Sequence, residues 1–444
     1  MDSSTAGMER RLDQYFARIG EVLGNKGQRA SFATYAQGIL SDGERKSVEP
    51  ISARACADPA RADAAHQQLL HFVGVATWSD ERVRAEASRY ALGAILAREK
   101  AEAWILDDTG FLKQGEYSVG VQRQYTGSAG KVTNCQVGVS LVFATRSEHL
   151  PIDFALYLPP SWTDDRKRRK AARIPDEVEF ATKPALGIQM IRRALLAGVP
   201  RGVVLADAGY GCGADFRKEL RELGLDYAVG VNSTINARRV SRDGSCRAKP
   251  QRLTTIARQL QKEGAFRRCT WRQGSRRAMS AGFARVRVQV GAAEHATLLI
   301  EWRDHEPEPA NYYLVSMAKI PAAMKQLVRL VMQRWRIERT YQDLKGELGL
   351  DHYEGRSYPG WHHHISVVLA SYAFIVAERS RLFPPAARET VADGPDALAA
   401  GAPLPGQLHH CAACGRQEDR HLAPEVPGLP SHEHENAAGP EMTQ

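Results

Sequence analysis

The sequence predicts a mixed α/β protein, and three observations carry that prediction. Residues 1 to about 100 hold apolar side chains at helical spacing. Residues 103 to 231 alternate short Val/Ile/Leu-rich runs with helical stretches. Residues 233 to 310 change to β-type alternation before a long helical segment returns at Ala322. At 444 residues the chain exceeds one ordinary domain, and its 43% hydrophobic content suffices for sizeable cores. The expected division is a helical part over 1–100, an α/β core over 101–232 and 311–385, a β-rich insertion over 233–310, and a disordered tail over 386–444.

Each element has its own signal. Leu12, Phe16, Ile19 and Leu23 recur at helical spacing from Met8, and Gly24 ends the run. Ser31 to Leu40, Ala64 to Val75 and Asp80 to Ala97 repeat the habit, with a polar turn at Gly43 to Pro50. Trp104-Ile105-Leu106 reads as a strand ending in Asp107-Asp108 and a glycine turn. Cys135 to Ala144 and Ile152 to Tyr157 are further strands. The run Asp164 to Lys170 reads as a basic loop, either merely solvated or following a phosphate backbone. Pro184 opens a helix that closes before Gly198. Val203 to Ala206 forms a strand that meets Asp207, Ala214 to Leu223 is a helix, and Tyr227 to Val231 is a strand. This β-α-β-α-β order implies parallel strands added to the first three. Arg238, Arg239, Arg242, Arg247 and Lys249 make the start of the insertion basic, and Arg285 to Val290 alternates basic and apolar faces.

The segment Ala322 to Lys345 has no Gly or Pro and reads as one helix, with Leu330, Ile337 and Leu344 forming its buried stripe. Glu338 and Lys345 share a face within about 20°, and Arg334 lies one turn before Glu338. Such a pattern suits either ordinary i,i+4 ion pairs or a carboxylate that holds metal while the cations hold phosphate. Two strand ends also carry acids, Asp107/Asp108 and Asp207. Three carboxylates brought together repel unless a divalent cation joins them. Oxygen-only ligands select Mg²⁺ or Mn²⁺. Two such ions, about 3.5–4 Å apart, suit phosphodiester chemistry.

Composition narrows the partners. A net charge of +9 suits a polyanion, nucleic acid first, and the short helices of 1–100 with their basic turn are expected to contact DNA, the plain alternative being a helical support. Seven scattered cysteines suggest reduced thiols in the cytoplasm. The longest apolar run, Ile365 to Ala377, is too short to span a bilayer, so no membrane is expected. Cys411 and Cys414 form a single CxxC in a low-complexity stretch, too little for a zinc site.

Residues 10 to about 380 resemble the bacterial insertion-sequence DDE transposases. Their Tyr-x2-Arg-x3-Glu-x6-Lys signature is matched by Arg334, Glu338 and Lys345, with Val331 in place of the tyrosine. Asp108-Thr109-Gly110 resembles the first acidic motif and Asp207-Ala208-Gly209 the second. Gly43 to Ser47 and His66-Gln67 are similar to one subgroup. The resemblance implies an RNase H-like mixed sheet flanked by helices. It implies Asp108, Asp207 and Glu338 as catalytic, metal-binding acids, with Asp107 competing for the first position. One strand residue of that pair faces the metals and the other does not. Arg334 and Lys345 are implied as phosphate clamps. Tyr341 is the substitute for the missing tyrosine, and Tyr312 stands where the family stacks a flipped base.

The function implied is that of a transposase with two Mg²⁺ or Mn²⁺ ions. It binds the terminal inverted repeats of its element, cleaves with metal-activated water and joins the 3′-hydroxyl to target DNA by a cut-and-paste route. Its partners are double-stranded DNA at element ends and target, and a second copy in a synaptic homodimer. Its place is the cytoplasm, at the nucleoid. Two rival readings stand beside it: a DNA-binding descendant that no longer cuts, and a metal-dependent nuclease without strand transfer.

Overall fold

The computed structural model describes residues 3–383, apart from 242, 247–248 and 274–277. The expectations for Arg242, Arg247 and the tail with Cys411 and Cys414 fall outside those residues. The architecture is mixed α/β: one large mixed sheet flanked by helices, consistent with an RNase H-like fold.

Helices α1 (Ser3–Glu21), α2 (Lys26–Leu40), α3 (Val48–Ala55), α4 (Ala62–Gly74) and α5 (Asp80–Leu96) precede the sheet. The turn expected at 43–50 is shorter than the sequence suggested, because α3 starts at Val48. Pro50 sits in its first turn, where no amide bond is lost. Helices α1, α2, α4 and α5 pack on α14 (Tyr358–Leu382), most of whose residues are buried, and α3 packs on α2 and α4. Tyr15 donates its hydroxyl to the Ala370 carbonyl at 2.8 Å, and Arg11 pairs with Glu378 at 2.6 Å.

Burial on α14 has a measurable consequence. His362 and His364 lie inside, and burial pushes both imidazoles down to about 4. The unfolded chain, with ordinary values near 6.5, takes up protons first as pH falls. Stability from these groups is therefore full above about pH 7, declines between about 6.5 and 4, and is lost below that. Each contributes on the order of 3 kcal/mol. Denaturant unfolding at pH 7, 5.5 and 4 is expected to give a steadily lower stability, and a flat profile contradicts the buried neutral state.

The sheet is built from β1 (Ala103–Leu112), β2 (Gln122–Thr126), β3 (Lys131–Ala144), β4 (His149–Tyr157), β5 (Val203–Ala206), β6 (Tyr227–Val231), β7 (Asn236–Arg239), β8 (Gln251–Arg252), β9 (Arg267–Gln273), β10 (Ala278–Val290), β11 (Glu294–Trp302) and β12 (Asn311–Ser316). Their order is β2-β3-β1-β5-β6-β12-β11-β10-β7-β8, with β4 also on β3 and β9 also on β10. Pairs β1·β5 and β5·β6 are parallel, as the β-α-β-α-β order requires; the others are antiparallel. The strands of 233–310 continue this same sheet through β12 and β11.

Three expectations change. Strand β1 does not stop at its acids: it pairs with β3 as far as Leu112 opposite Cys135, so Asp107 and Asp108 lie in mid-strand. The basic run is not a loop. After the short helix α6 (Pro160–Thr163), it forms α7 (Arg166–Ala172), because the Asp165 carboxylate accepts from the amides of Lys167 and Arg168 and caps the turn. The long helix from Ala322 is broken into α12 (Met324–Val331), a 3₁₀ turn over Met332–Arg334, and α13 (Trp335–Gly346). At the break, Gln333 bonds Glu102 at 2.6 Å and Arg334 bonds Asp107 at 2.5 Å, so side-chain partners on the sheet fix the change of path.

The connecting helices α8 (Lys183–Leu196), α9 (Ala208–Gly211) and α10 (Ala214–Glu222) lie along the parallel strands, and α11 (Leu253–Lys262) is a helix within the β-rich segment that alternation did not reveal. Two cores result. Ile105 and Leu205 enter the smaller one with Val328, Val331 and Ile337 from α12 and α13. Trp104, Leu106 and Val204 enter the larger one on the opposite face.

Candidate active site

Sheet register builds the site. Strands β1 and β5 run parallel with Ile105 opposite Leu205. Two residues further on, Asp107 and Asp207 emerge side by side, on the face that α13 covers. The row extends sideways through Ser140 on β3, opposite Asp107, and through Gly230 and Tyr313, opposite each other on β6 and β12.

Arg334 occupies the middle. Its Nη1 bonds Asp107 Oδ2 at 2.5 Å and its Nη2 stands 3.8 Å from Glu338 Oε1. The charges of Asp107, Asp207 and Glu338 all raise its pKa against the opposing cost of burial. The Asp107 carboxyl is pushed up to about 7, chiefly by burial; Arg334 opposes this and neighbouring Asp207 adds to it. Asp207 caps the turn of α9, its Oδ1 accepting from the Gly209 amide at 2.9 Å. Glu338 is 68% exposed on the open side of the helix.

Asp108 lies apart from this group. Its Oδ2 accepts from Lys183 Nζ at 2.9 Å and from the Tyr210 hydroxyl at 3.4 Å, on the face occupied by α8. The parity of β1 is the reason: Asp108 follows Leu106, whose side chain packs at Gly187 of α8, whereas Asp107 follows Ile105. Thus the acid brought to Asp207 and Arg334 is Asp107, not the Asp108 that the motif favoured. The Asp108 amide still touches the group, donating to Asp107 Oδ1 at 2.8 Å.

The remaining expected residues are also placed. Tyr341 contacts Ser140 through its hydroxyl at 2.7 Å, beside Asp107; burial, then the Asp107 charge, raises its pKa well above the usual range. Val331, in the signature's tyrosine position, is buried under the sheet. Lys345 donates to the Gly110 carbonyl at 2.6 Å, with its ammonium 5.3 Å from the centre of the Phe111 ring. Tyr312 is not brought to the site: it is buried in the larger core on the other face, and its hydroxyl has no partner among the described residues. Tyr313, the next residue on β12, faces the α13 side instead. It lies in the acid row, and its neutral hydroxyl donates to Glu301 at 3.4 Å. The signal was strand alternation, available once the face of β12 was known.

Among the described residues no three acids close into a ready metal cage, because Arg334 stands between Glu338 and the aspartates. The donor set is nevertheless all oxygen, and two adjacent aspartates share one cation. That chemistry fits hard divalent ions.

Residues 18–278 match the family model described as DDE superfamily endonuclease, more than half of the chain. The chain belongs to the DDE superfamily endonucleases. Within this DDE chain, residues 184–374 also match the model described as transposase DDE domain. A curated relative, the probable transposase for insertion sequence element IS701 from Microchaete diplosiphon, is 28% identical over 230 residues. That match covers 52% of the DDE chain and 56% of the relative, so the chain spans little more than half the length of the curated relative it matches. The superfamily generally uses divalent metals. No helix of the described DDE chain is long and apolar enough to cross a membrane.

Proposed function

We propose that this DDE protein is a transposase that cleaves phosphodiester bonds at the terminal inverted repeats of a mobile element and passes the 3′-hydroxyl end to target DNA by a cut-and-paste route. The observation that carries the reading is the placement of Asp107 on β1 beside Asp207, one residue past β5, both acting on Arg334 with Glu338 3.8 Å from the same guanidinium. In this reading Asp107, Asp207 and Glu338 are the residues that hold two Mg²⁺ or Mn²⁺ ions. When bound, such ions lower the pKa of a water or 3′-hydroxyl and stabilise the leaving oxygen. Asp107 and Asp207 are set by two hydrogen-bonded strands, which keeps the spacing of the donors fixed. Arg334 exchanges Asp107 for a phosphate, a charge-assisted pairing its planar fork suits. Lys345 guards the same strand one turn-pair along the helix, and Tyr341 fixes the Ser140 side of Asp107. Tyr313 is better situated than Tyr312 to meet DNA. Two element ends held together imply a homodimer, and the site of action is the nucleoid.

The test is Glu338→Gln, which keeps shape and removes charge. Mg²⁺-dependent cleavage of a duplex carrying the element end is expected to fall by more than about 10²-fold, with binding of that duplex retained. Cleavage at the parent rate rejects the assignment. Binding by the parent protein with no cleavage at all favours the non-cutting descendant. Cleavage with no joined product favours a nuclease.

A further inference from the structure

Helix α7 spends only part of its charge on the fold. Arg168 donates to the Ser161 and Glu116 carbonyls at 3.3 and 3.2 Å and lies 4.3 Å from the centre of the Trp162 ring. Arg169 donates to the carbonyls of Val178 and Pro175 at 2.8 and 2.6 Å. Arg173 closes the helix in a left-handed conformation, φ 57°, and donates to the Gly74 carbonyl at 2.5 Å. The contacts of these three arginines seat α7 firmly. Arg166, Lys167 and Lys170 are exposed, and their side chains make no hydrogen bond or ion pair among the described residues. They sit at i, i+1 and i+4, on one side of the helix, where like charges repel. That repulsion adds nothing to folding.

The position of α7 gives those charges a direction. Glu116, which holds Arg168, belongs to the loop leaving β1, the strand that carries Asp107. Cations recur along this path. Arg334 is at Asp107 and Lys345 at Gly110. Lys113 follows the strand and donates to the Tyr353 carbonyl at 2.6 Å. Arg356 lies 5.2 Å from the centre of the Tyr117 ring, and Tyr117 is 71% exposed in the loop itself. Acids also lie near this path: Asp351, Glu354, which is paired with Arg45, Glu116, and Asp164 and Asp165 at the start of α7. From Asp107 to Leu112 an extended strand covers about 17 Å, so the whole path is long enough for several phosphates.

We propose that this basic track, from the acidic cluster along β1 and its outgoing loop to the free face of α7, seats the sugar–phosphate backbone of duplex DNA. The inference rests on the transposase reading and deepens it by giving the DNA a course away from the cut. Rigid anchoring by Arg168, Arg169 and Arg173 holds the three free cations without loss of side-chain order elsewhere. The contacts are to phosphate, so they carry affinity and orientation, not sequence choice.

The experiment measures binding of a long duplex of arbitrary sequence by the full chain, without divalent ions, across a range of salt. The variant is Arg166→Gln/Lys167→Gln/Lys170→Gln, checked for an unchanged melting curve. Three lost phosphate contacts are expected to make the slope of log K against log salt shallower by about 2.7. An unchanged slope overturns the track. The same titration on a single strand of equal length is the control: single strands bound more tightly than duplex, with a slope change on them of about 2, overturn the choice of duplex, since single strands release fewer ions per contact. If the parent protein binds no duplex in a salt-dependent way, the transposase reading itself fails, an outcome distinct from an unchanged slope.

Discussion

Asp107→Asn is expected to remove Mg²⁺-dependent cleavage, by more than about 10²-fold, while Asp108→Asn keeps cleavage within roughly tenfold of the parent. The two residues are adjacent and chemically identical, so only their faces distinguish them. Asp107 shares its face with Asp207, Arg334 and α13. Asp108 faces Lys183 and Tyr210. Losing the Asp108 charge leaves Lys183 partly exposed and able to rehydrate, so the stability cost is within about 1 kcal/mol. The measurement is a pair of cleavage time courses with a melting curve for each variant, which separates lost chemistry from lost fold. The reverse result, activity lost with Asp108→Asn and kept with Asp107→Asn, means that β1 presents its other face to the metals.

That ambiguity explains how much of the molecule the sequence carries. Helices α5, α8 and α10 and strands β5 and β6 are legible because Gly198, Pro200 and Gly224 punctuate them or their apolar residues keep a clear period. The faces of β1 are not legible. A central strand buried on both sides has apolar residues at every position, here Trp104, Ile105 and Leu106, so alternation gives no parity. The same holds for Tyr312 and Tyr313 on β12. Asp-Asp-Thr-Gly looks like a strand end because Asp and Gly are poor strand formers, and only pairing with β3 carries the strand through them. Helix α7 has no apolar stripe, and its helicity rests on the Asp165 cap and on carbonyls far along the chain. The break at Met332–Arg334 has no Gly or Pro to announce it, since its cause lies on the sheet at Glu102 and Asp107. The spacing of Arg334, Glu338 and Lys345 is legible because it is local to one stretch of chain, whereas the choice between two neighbouring aspartates depends on a partner strand 100 residues away, as the Ile105–Leu205 register shows.

The second acid depends on a glycine in the same way, and Gly211→Ala is expected to disable the protein. A Cβ at residue 211 collides with the Gly230 carbonyl oxygen and comes within 2.8 Å of the Val229 Cβ. Neither neighbour can yield easily. Gly230 lies in β6, a strand bonded to β5 on one side and β12 on the other. The turn can only lift away from β6. The Gly211 amide donates to the Asp207 carbonyl at 2.8 Å, so lifting the turn drags Asp207 out of register with Asp107. Overpacking of this kind costs about 1–3 kcal/mol, toward the upper end here because the obstacle is main chain. Cleavage is expected to fall at least tenfold beyond any loss of DNA binding, since misplacing by about 1 Å a carboxylate proposed to hold metal has effects of that order or larger. Gly213→Ala supplies the comparison. Its Cβ meets the Tyr210 carbonyl oxygen at 3.4 Å and the Phe216 Cβ at 3.6 Å, ordinary contact distances, and the residue is the N-cap of α10 in extended backbone. That change is expected to cost less than about 1 kcal/mol and to leave cleavage near the parent rate. Melting curves and cleavage rates for the two variants decide the matter: equal effects at 211 and 213 show that the turn is not held against β6, and the packing account of Asp207 then fails.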